Sequence, residues 1–385
     1  MRTRQRVLVV IAILAGIVAG IAALTATSME SKGPLSSLME RTASAVGAIE
    51  NAARRRIMGS GRSDALAWFE PNRQKMDFLK TPNRILFGAY DGGIPQTLEG
   101  VLELEGSLQT VFPLIHFYAA WGDKPDQQFP LQVANAIWDL GSVPVITWEP
   151  WLDDFENAAH PDLPLRGKRD LHGLAAVAGG TYDFYIDEWA RAAAQFDRPL
   201  YLRFAHEMND PYRYPWGPQN NSKEEYIAAW RHVVDRFRAA GANKVIWVWA
   251  PHVAYEFWDL YYPGDQYTDC IGTGALNYGP IAYWSKWWRF DEIFGQKYPR
   301  MAGFNKPIMI AEFGSLAVGG DRAGWYGSAL DEIAKQEPLV RAVLFFNKRD
   351  DQTVTSQRID WTFASDSAVA AVAAAGVAKL VTIRY

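Results

Sequence analysis

The chain has 385 residues, of which 49% are hydrophobic, enough to bury one large core. Its formal net charge is −4, which argues against a nucleic-acid partner because phosphate binding needs a basic surface. The single cysteine, Cys270, excludes an intramolecular disulfide and a multi-cysteine metal site.

The N-terminus is predicted to be a signal anchor, over residues 1–27. Arg2, Arg4 and Arg6 precede an uncharged apolar run at 7–24. The length of this run is close to the roughly 20 residues that span a bilayer as a helix. Basic residues before such a run place the N-terminus in the cytoplasm and the rest outside. Residues 26–28 offer only a weak cleavage site. We therefore expect an exported domain tethered to the cell (inner) membrane, or secreted if this segment is cleaved.

The next segment, residues 28–82, is predicted to be a partly helical stalk. It lacks strand-like apolar runs, and residues 36–57 show helical spacing with many alanines. Residues 59–62 are rich in Gly and Ser and are typical of a flexible connection.

Residues 83–385 are predicted to fold as a single (β/α)8 barrel of the TIM type. Eight short apolar runs alternate with helical stretches, which indicates parallel strands joined by crossover helices. The predicted strands lie at 85–90, 111–118, 143–148, 200–204, 245–249, 271–276, 308–311 and 342–346. The clearest helical stretches lie at 130–140, 182–196, 223–240 and 325–337.

A doubly wound open sheet is the competing architecture. Such a sheet normally carries a glycine-rich phosphate loop with G-x-G-x-x-G spacing after its first strand. The sequence after the first predicted strand, GAYDGG at 88–93, lacks that spacing. The closed barrel is therefore favoured.

Acidic side chains follow predicted strands four and seven. In a (β/α)8 barrel the active site lies at the C-terminal ends of the strands, so Glu207 and Glu312 are expected to face each other across the mouth. Two carboxyls flanking a sugar linkage are what glycoside hydrolysis requires: one donates a proton to the leaving oxygen and the other attacks the anomeric carbon. A separation of about 5–5.5 Å leaves no room for a water and gives retention of configuration.

Three segments resemble glycoside hydrolase family 26, the β-mannanase and lichenase family of the clan A (β/α)8 hydrolases. The most specific is RFAHEMN at 203–209, in which a His precedes the glutamate where most of the clan has Asn. AEFG at 311–314 is similar to the nucleophile strand, and VITWEP at 145–150 is similar to the third-strand segment. Asp360-Trp361 resembles a segment after the eighth strand, so the resemblance covers roughly residue 83 to the C-terminus.

The resemblance implies a role for each matching residue. Glu207 would be the general acid/base and Glu312 the nucleophile. His206 would contact the sugar next to the scissile bond or orient the nucleophile, and Arg203 would lie beneath the nucleophile and keep it ionised. Trp216 resembles the family's aromatic wall.

One segment departs from the family pattern. The sixth strand commonly reads Gly-Leu-Asp-Gly-Tyr-Asn, whereas this chain reads GTGALNY at 272–278. The acidic residue is missing and the Tyr that usually bonds the nucleophile is displaced or replaced. Tyr278 is the candidate substitute.

Aromatic rings at the strand ends are candidate sugar platforms, because exposed Trp and Tyr faces bury the apolar faces of sugars. Together with Glu149, the predicted substrate contacts are Trp121, Trp148, Trp151, Trp216, Trp249 and Tyr278.

Other chemistries lack their motifs. The zinc motif H-E-x-x-H needs a second His at the position of Asp210, and neither a Walker loop nor a G-x-S-x-G turn occurs in the sequence. We expect no metal and no cofactor.

The sequence thus predicts a retaining endo-β-glycanase that acts on β-1,4-mannan, β-1,3-1,4-glucan or an exopolysaccharide. Its expected partners are the polysaccharide and, through the N-terminal helix, the membrane. A polysaccharide synthesis or export machinery is a further candidate partner. The alternative is a membrane-tethered polysaccharide-binding or assembly protein with weak or lost catalysis, supported by the altered sixth strand.

Overall fold

The protein is described here from a computed structural model that covers residues 61–282, 284–353, 355 and 357–385. The predicted signal anchor and most of the predicted stalk lie outside these residues. Within the described part of the chain, no helix combines the length and the apolar character needed to cross a bilayer.

Eight parallel strands close into one barrel, as the alternation of apolar runs predicts. Each strand pairs with the next along the chain, and the last returns to the first, where Leu86 lies opposite Ala342. The strands are β1 Leu86–Asp91, β2 Leu114–Ala120, β3 Val143–Glu149, β4 Leu200–Phe204, β5 Val245–Trp249, β6 Cys270–Asn277, β7 Ile308–Ser315 and β8 Val340–Asn347.

Helices on the outside of the barrel join the strands. The described α-helices are α1 Met76–Lys80, α2 Glu99–Leu108, α3 Leu131–Asp139, α4 Gly173–Ala178, α5 Asp183–Phe196, α6 Lys223–Ala239, α7 Tyr298–Ala302, α8 Arg322–Gln336 and α9 Ser367–Leu380. The start of α6 shows how the sequence fixes one boundary. Ser222 accepts a hydrogen bond from the Glu225 N–H, and the Glu225 side chain accepts one from the Ser222 N–H.

Two predicted strands match the structure at both ends, and others are longer. The largest difference is β7, which was predicted to end at residue 311 but continues to Ser315, so that Glu312 lies inside the strand. All eight β7 residues are buried. A buried carboxylate is tolerated there because charged and hydroxyl partners from other strands reach it inside the barrel.

Residues 61–82, which the sequence assigned to the stalk, pack against the barrel. Leu66 and Phe69 are buried in the main hydrophobic core. The buried Arg62 pairs with Glu105 of α2 at 2.7 Å and donates a hydrogen bond to Ser142 just before β3. The compact body therefore includes these residues, and the predicted boundary at residue 83 is too late.

Alternation along the strands decides which polar side chains reach the interior. His116 of β2 pairs with Thr147 of β3 at 2.7 Å inside the barrel. The next residue along β3, Trp148, points the other way, against Trp189 of α5 and Phe237 of α6. Polar groups thus collect inside the barrel and large aromatic rings fill the layer beneath the helices.

Candidate active site

Glu312 lies at the centre of a hydrogen-bonded group assembled from four strands. Its Oε1 accepts hydrogen bonds from Arg203 Nη2 at 2.6 Å and from Tyr118 Oη at 2.7 Å. Arg203 Nε in turn donates to Thr147 Oγ1 at 2.7 Å, which fixes the guanidinium beneath the carboxylate. Arg203 is only 1% exposed, so it acts on Glu312 from below and does not face the cleft.

These contacts keep Glu312 ionised. Burial by itself would raise its pKa, but the charge of Arg203 and the hydrogen bonds from Tyr118 and Arg203 outweigh burial and leave the pKa below its usual value. An ionised carboxylate with one oxygen, Oε2, free of these two donors is suited to nucleophilic attack.

Glu207 lies just beyond the end of β4, in a turn that few residues adopt. Ala205 and Glu207 both have left-handed backbone conformations, with φ of 42° and 51°. Such conformations cost free energy in residues with a Cβ and persist where surrounding contacts hold them, often at functional sites. Here the Glu207 N–H donates to the Ala250 carbonyl at 2.7 Å, which ties the turn to the segment after β5.

The Glu207 carboxyl is buried with few partners. Its Oε2 lies 3.5 Å from Arg213 Nη1 but makes no hydrogen bond in the structure, and its Oε1 lies 4.0 Å from His252 Nε2. Asn209 holds His252 in place by pairing with its peptide group: Asn209 Nδ2 donates to the His252 carbonyl at 2.9 Å, and the His252 N–H donates to Asn209 Oδ1 at 2.8 Å. Asn209 of the HEMN segment therefore positions the neighbour of Glu207.

Gly274 of β6 lies close to both glutamates. A Cβ placed on Gly274 would lie 3.8 Å from Glu207 Oε1 and 3.8 Å from Glu312 Oε2. The two oxygens are therefore separated by no more than twice that distance. The structure thus brings together the two carboxyls that the sequence singled out, over one barrel mouth.

A buried wall of His206 and aromatic rings stands beside the pair. His206 Nε2 bonds to Tyr214 Oη at 3.0 Å, and Trp216 stacks on Tyr214 with ring centroids 4.5 Å apart. Burial, and next to it the charge of Arg203, holds the pKa of His206 well below its usual value, so the ring is neutral. His206 thus contacts Tyr214 and is not a direct partner of Glu312.

Glu149 adds a third carboxyl at the end of β3. Its Oε2 accepts a hydrogen bond from Trp151 Nε1 at 3.1 Å, and its Oε1 lies 4.0 Å from His206 Nδ1. Burial raises the pKa of Glu149 to about 7, against the opposing effect of the Trp151 hydrogen bond. Glu149 and the partly exposed Trp151 remain candidate substrate contacts.

Four predicted sugar platforms are wrong, because burial leaves their rings inaccessible. Trp121, Trp148 and Trp249 are 0% exposed. Trp249 packs on Trp258 outside the barrel, much as Trp148 packs on the helices. Trp216 is 2% exposed and donates its indole N–H to the His206 carbonyl at 2.7 Å, so it supports His206 from behind.

The tyrosine that bonds Glu312 comes from β2. Tyr118 donates to Glu312, whereas Tyr278 packs its ring edge-on against Trp361 and Trp284. Tyr118 is absent from the predicted site residues because it lies within β2 and not in a segment that follows a strand. The available signal was the alternation in β2, where His116 and Tyr118 share one face.

One group of metal-ligand types occurs among the described residues. Glu207, Asp210 and His252 each offer an atom within 4.8 Å of the others. Asp210 Oδ1 already accepts the Tyr212 N–H at 2.8 Å, and Arg213 lies beside Glu207. The guanidinium of Arg213 already occupies one side of this group and disfavours a second cation there.

The family model described as glycosyl hydrolase family 26 matches residues 177–312, a segment that contains both glutamates. The chain belongs to glycosyl hydrolase family 26. It is 32% identical over 282 residues to endoglucanase H of Acetivibrio thermocellus, a match that covers 70% of this chain and 29% of that protein. It is 28% identical over 218 residues to mannan endo-1,4-beta-mannosidase A and B of Caldalkalibacillus mannanilyticus, covering 53% of this chain and 39% of that protein. The chain thus spans well under half the length of these two relatives.

Solved structures of family 26 proteins share the fold. A GH26 β-mannanase from Bacteroides ovatus superposes with a TM-score of 0.53 at 18% identity, covering 83% of this chain and 92% of that one. GH26C from Muricauda sp. superposes with a TM-score of 0.57 at 17% identity, covering 82% of this chain and 89% of that one. At these identities the likeness supports the barrel architecture and nothing finer.

Proposed function

We propose that this family 26 protein is a retaining endo-β-glycanase, with Glu312 as nucleophile and Glu207 as general acid/base. The observation that carries the proposal is the pair of carboxyl oxygens that lie close to Gly274. Membership of family 26 supports the same class of reaction.

The different surroundings of the two carboxyls support the division of roles. Arg203 and Tyr118 hold Glu312 Oε1, so Oε2 is the oxygen available to attack the anomeric carbon. Glu207 Oε2 makes no hydrogen bond in the structure, and a protonated carboxyl there has a donor to offer. Two carboxyls in unlike environments are the usual basis for assigning an acid and a nucleophile.

The proposed reaction proceeds in two displacements. Glu312 Oε2 forms a bond to the anomeric carbon as the glycosidic oxygen leaves with the proton from Glu207, which gives a covalent glycosyl-enzyme. Ionised Glu207 then removes a proton from water, whose oxygen attacks the same carbon and releases Glu312. Each displacement inverts the anomeric carbon, so after two displacements the product has the configuration of the substrate.

The separation of the two carboxyls is compatible with the retention that we propose. Inverting enzymes separate their carboxyls by about 6.5–9.5 Å to accommodate a water, and retaining enzymes by about 5–5.5 Å. The upper bound set by Gly274, twice 3.8 Å, excludes only the wider inverting separations, and the retaining separation lies below it.

The proposed substrate is a β-linked polysaccharide, either a β-1,3-1,4-glucan or a β-1,4-mannan. Identity to the endoglucanase, 32%, exceeds identity to the mannosidase, 28%, so glucan comes first on the panel to be tested. An exopolysaccharide is the third candidate.

The test compares the wild type with Glu207→Ala and Glu312→Ala on lichenan, mannan and cellulose by released reducing ends. We expect activity on one of these glycans and its loss in both variants, with a product that initially has the β configuration by NMR. An α product would contradict retention. Glycan binding by three proteins that all lack activity would favour the binding-protein alternative.

We also propose that the domain is exported and tethered to the inner membrane. Support comes from the sequence alone, in the arginines before the apolar run at 7–24. The intact mass of the cell-associated protein tests this, because cleavage after residue 28 would remove the tether and release a secreted form. A cytoplasmic location in cell fractions would contradict export.

A further inference from the structure

Three neighbouring rings extend outward from Glu207 to the surface: His252, Tyr255 and Tyr212. We call this row of one histidine and two tyrosines the tyrosine ladder. His252 lies 4.0 Å from Glu207, Tyr255 packs on His252 with centroids 4.6 Å apart, and Tyr212 lies 6.1 Å from Tyr255. Exposure rises along the ladder, from a His252 side chain that is 29% exposed to a Tyr212 that is 84% exposed. A tyrosine this exposed near a reactive carboxyl offers a free ring face to a ligand.

The ladder is fixed to the turn that carries Glu207. The Asp210 N–H donates to the Glu207 carbonyl at 2.9 Å, and Asp210 Oδ1 accepts the Tyr212 N–H at 2.8 Å. Asn209 fixes the His252 end through its peptide group. The backbone of Tyr212 is therefore held close to the turn that carries Glu207, and its side chain extends into solvent.

The two carboxyls have separate surroundings, and this decides which part of the substrate the ladder faces. Glu312 is held by Tyr118 and Arg203, whereas the ladder adjoins Glu207. The carboxyl that attacks the anomeric carbon lies against the sugar that remains bound. The carboxyl that donates the proton lies against the leaving oxygen, and a surface continuing outward from it follows the departing chain.

We infer that the tyrosine ladder is the binding site for the leaving-group side of the polysaccharide, with Tyr212 and Tyr255 stacking on its sugar rings. This rests on the proposed function and deepens it. Aromatic faces contribute large contact area at low cost in side-chain entropy, which suits the flat apolar faces of β-linked sugars. Binding there would hold the leaving chain during cleavage and would hold an acceptor sugar during transglycosylation.

The test uses two substrates with the same bound sugars and different leaving groups. One is an oligosaccharide of the glycan that the wild type cleaves, and the other is the β-fluoride of its non-reducing half. The leaving group of this substrate is a fluoride ion and not a sugar, so no leaving-group sugar contacts the tyrosine ladder. We expect Tyr212→Ala to lower kcat/KM for the oligosaccharide by about tenfold, the loss that follows if this ring is one of the few contacts that dominate binding. Its activity on the fluoride should stay within about twofold of the wild type.

Matched variants separate binding from folding. Tyr212→Trp keeps a ring and should restore most of the oligosaccharide activity. Tyr385→Ala removes a ring that packs on Arg341 near Asn83, at the opposite end of the barrel. This variant should have wild-type kcat/KM for both substrates. Transglycosylation onto an added sugar acceptor should fall in Tyr212→Ala and recover in Tyr212→Trp.

The outcomes distinguish the inference from the proposed function. A wild type that cleaves neither substrate would contradict the glycanase proposal, and the inference with it. A wild type that cleaves both, with Tyr212→Ala equally impaired on both or on neither, would overturn the inference and leave the glycanase proposal standing.

Discussion

The hydrogen bond from Tyr118 to Glu312 yields a quantitative prediction about pH. Tyr118→Phe removes only the hydroxyl that donates to Glu312 Oε1 at 2.7 Å, and Arg203 keeps its own hydrogen bond at 2.6 Å. A hydrogen bond to a charged group contributes about 1.5–3 kcal/mol. Since the bond stabilises the ionised form, its loss raises the pKa of Glu312, by about 1–2 units at 1.36 kcal/mol per unit.

The assay is kcat/KM as a function of pH, because its acid limb should report the ionisation of Glu312, the proposed nucleophile, in the free enzyme. We expect the acid limb of Tyr118→Phe to move about 1–2 units to higher pH. Well below both midpoints the ionised fraction falls tenfold per unit, so kcat/KM there should fall by about 10- to 100-fold.

A neighbouring tyrosine provides the matched control. Tyr90 packs edge-on against Tyr118 with centroids 4.9 Å apart, and Tyr90→Phe leaves both hydrogen bonds of Glu312 in place. Its acid limb should match that of the wild type. An unshifted limb in Tyr118→Phe, or equal shifts in both variants, would refute the assignment of this hydroxyl to Glu312.

Three further changes test the surroundings of the site and of the barrel. Arg203→Met leaves the buried Glu312 carboxylate without its cation and should lower the free energy of unfolding by about 3–5 kcal/mol in urea titrations. Adding Glu312→Gln should restore the lost stability, and no restoration would mean that Arg203 stabilises the fold through other contacts. Asn209→Ala frees His252 and should lower kcat on a glycan by about tenfold while sparing a glycosyl fluoride, which needs no proton; equal losses on both would argue against a positioning role. Glu337 is 2% exposed, both of its carboxyl oxygens lack hydrogen-bond partners, and burial raises its pKa to about 8. Because that pKa is raised, the native state loses stability as pH rises from about 4.5 to about 8, by no more than about 5 kcal/mol. Glu337→Gln should therefore have a higher melting temperature than the wild type at pH 9 but not at pH 4. Equal melting temperatures at pH 9 would contradict this.

The architecture and the carboxyl pair follow from local sequence. Short apolar runs alternating with helical stretches indicate parallel strands, and a closed barrel of eight such strands places their C-terminal ends at one mouth. Glu207 and Glu312 could be singled out because each lies within three residues of the end of a predicted strand. Their convergence then needs no contact information beyond closure of the sheet.

The functions of the aromatic residues could not be read in the same way. Trp148 and Trp151 lie three residues apart in one segment, yet Trp148 is fully buried and Trp151 is partly exposed. Trp148 is covered by Trp189 and Phe237, which belong to helices 41 and 89 residues further along the chain. Composition and spacing do not reveal which helix will cover a ring.

The sequence by itself determined the fold class and the two carboxyls, since strand periodicity and the position of an acid after an apolar run are local properties. Only the tertiary structure decided that Tyr118 donates a hydrogen bond to Glu312, 194 residues further along the chain, and that four tryptophans are buried and cannot stack on a sugar. Hydrogen bonds and burial depend on which distant segments meet. Closure of the barrel and the packing of its helices set those meetings, and no local pattern encodes them.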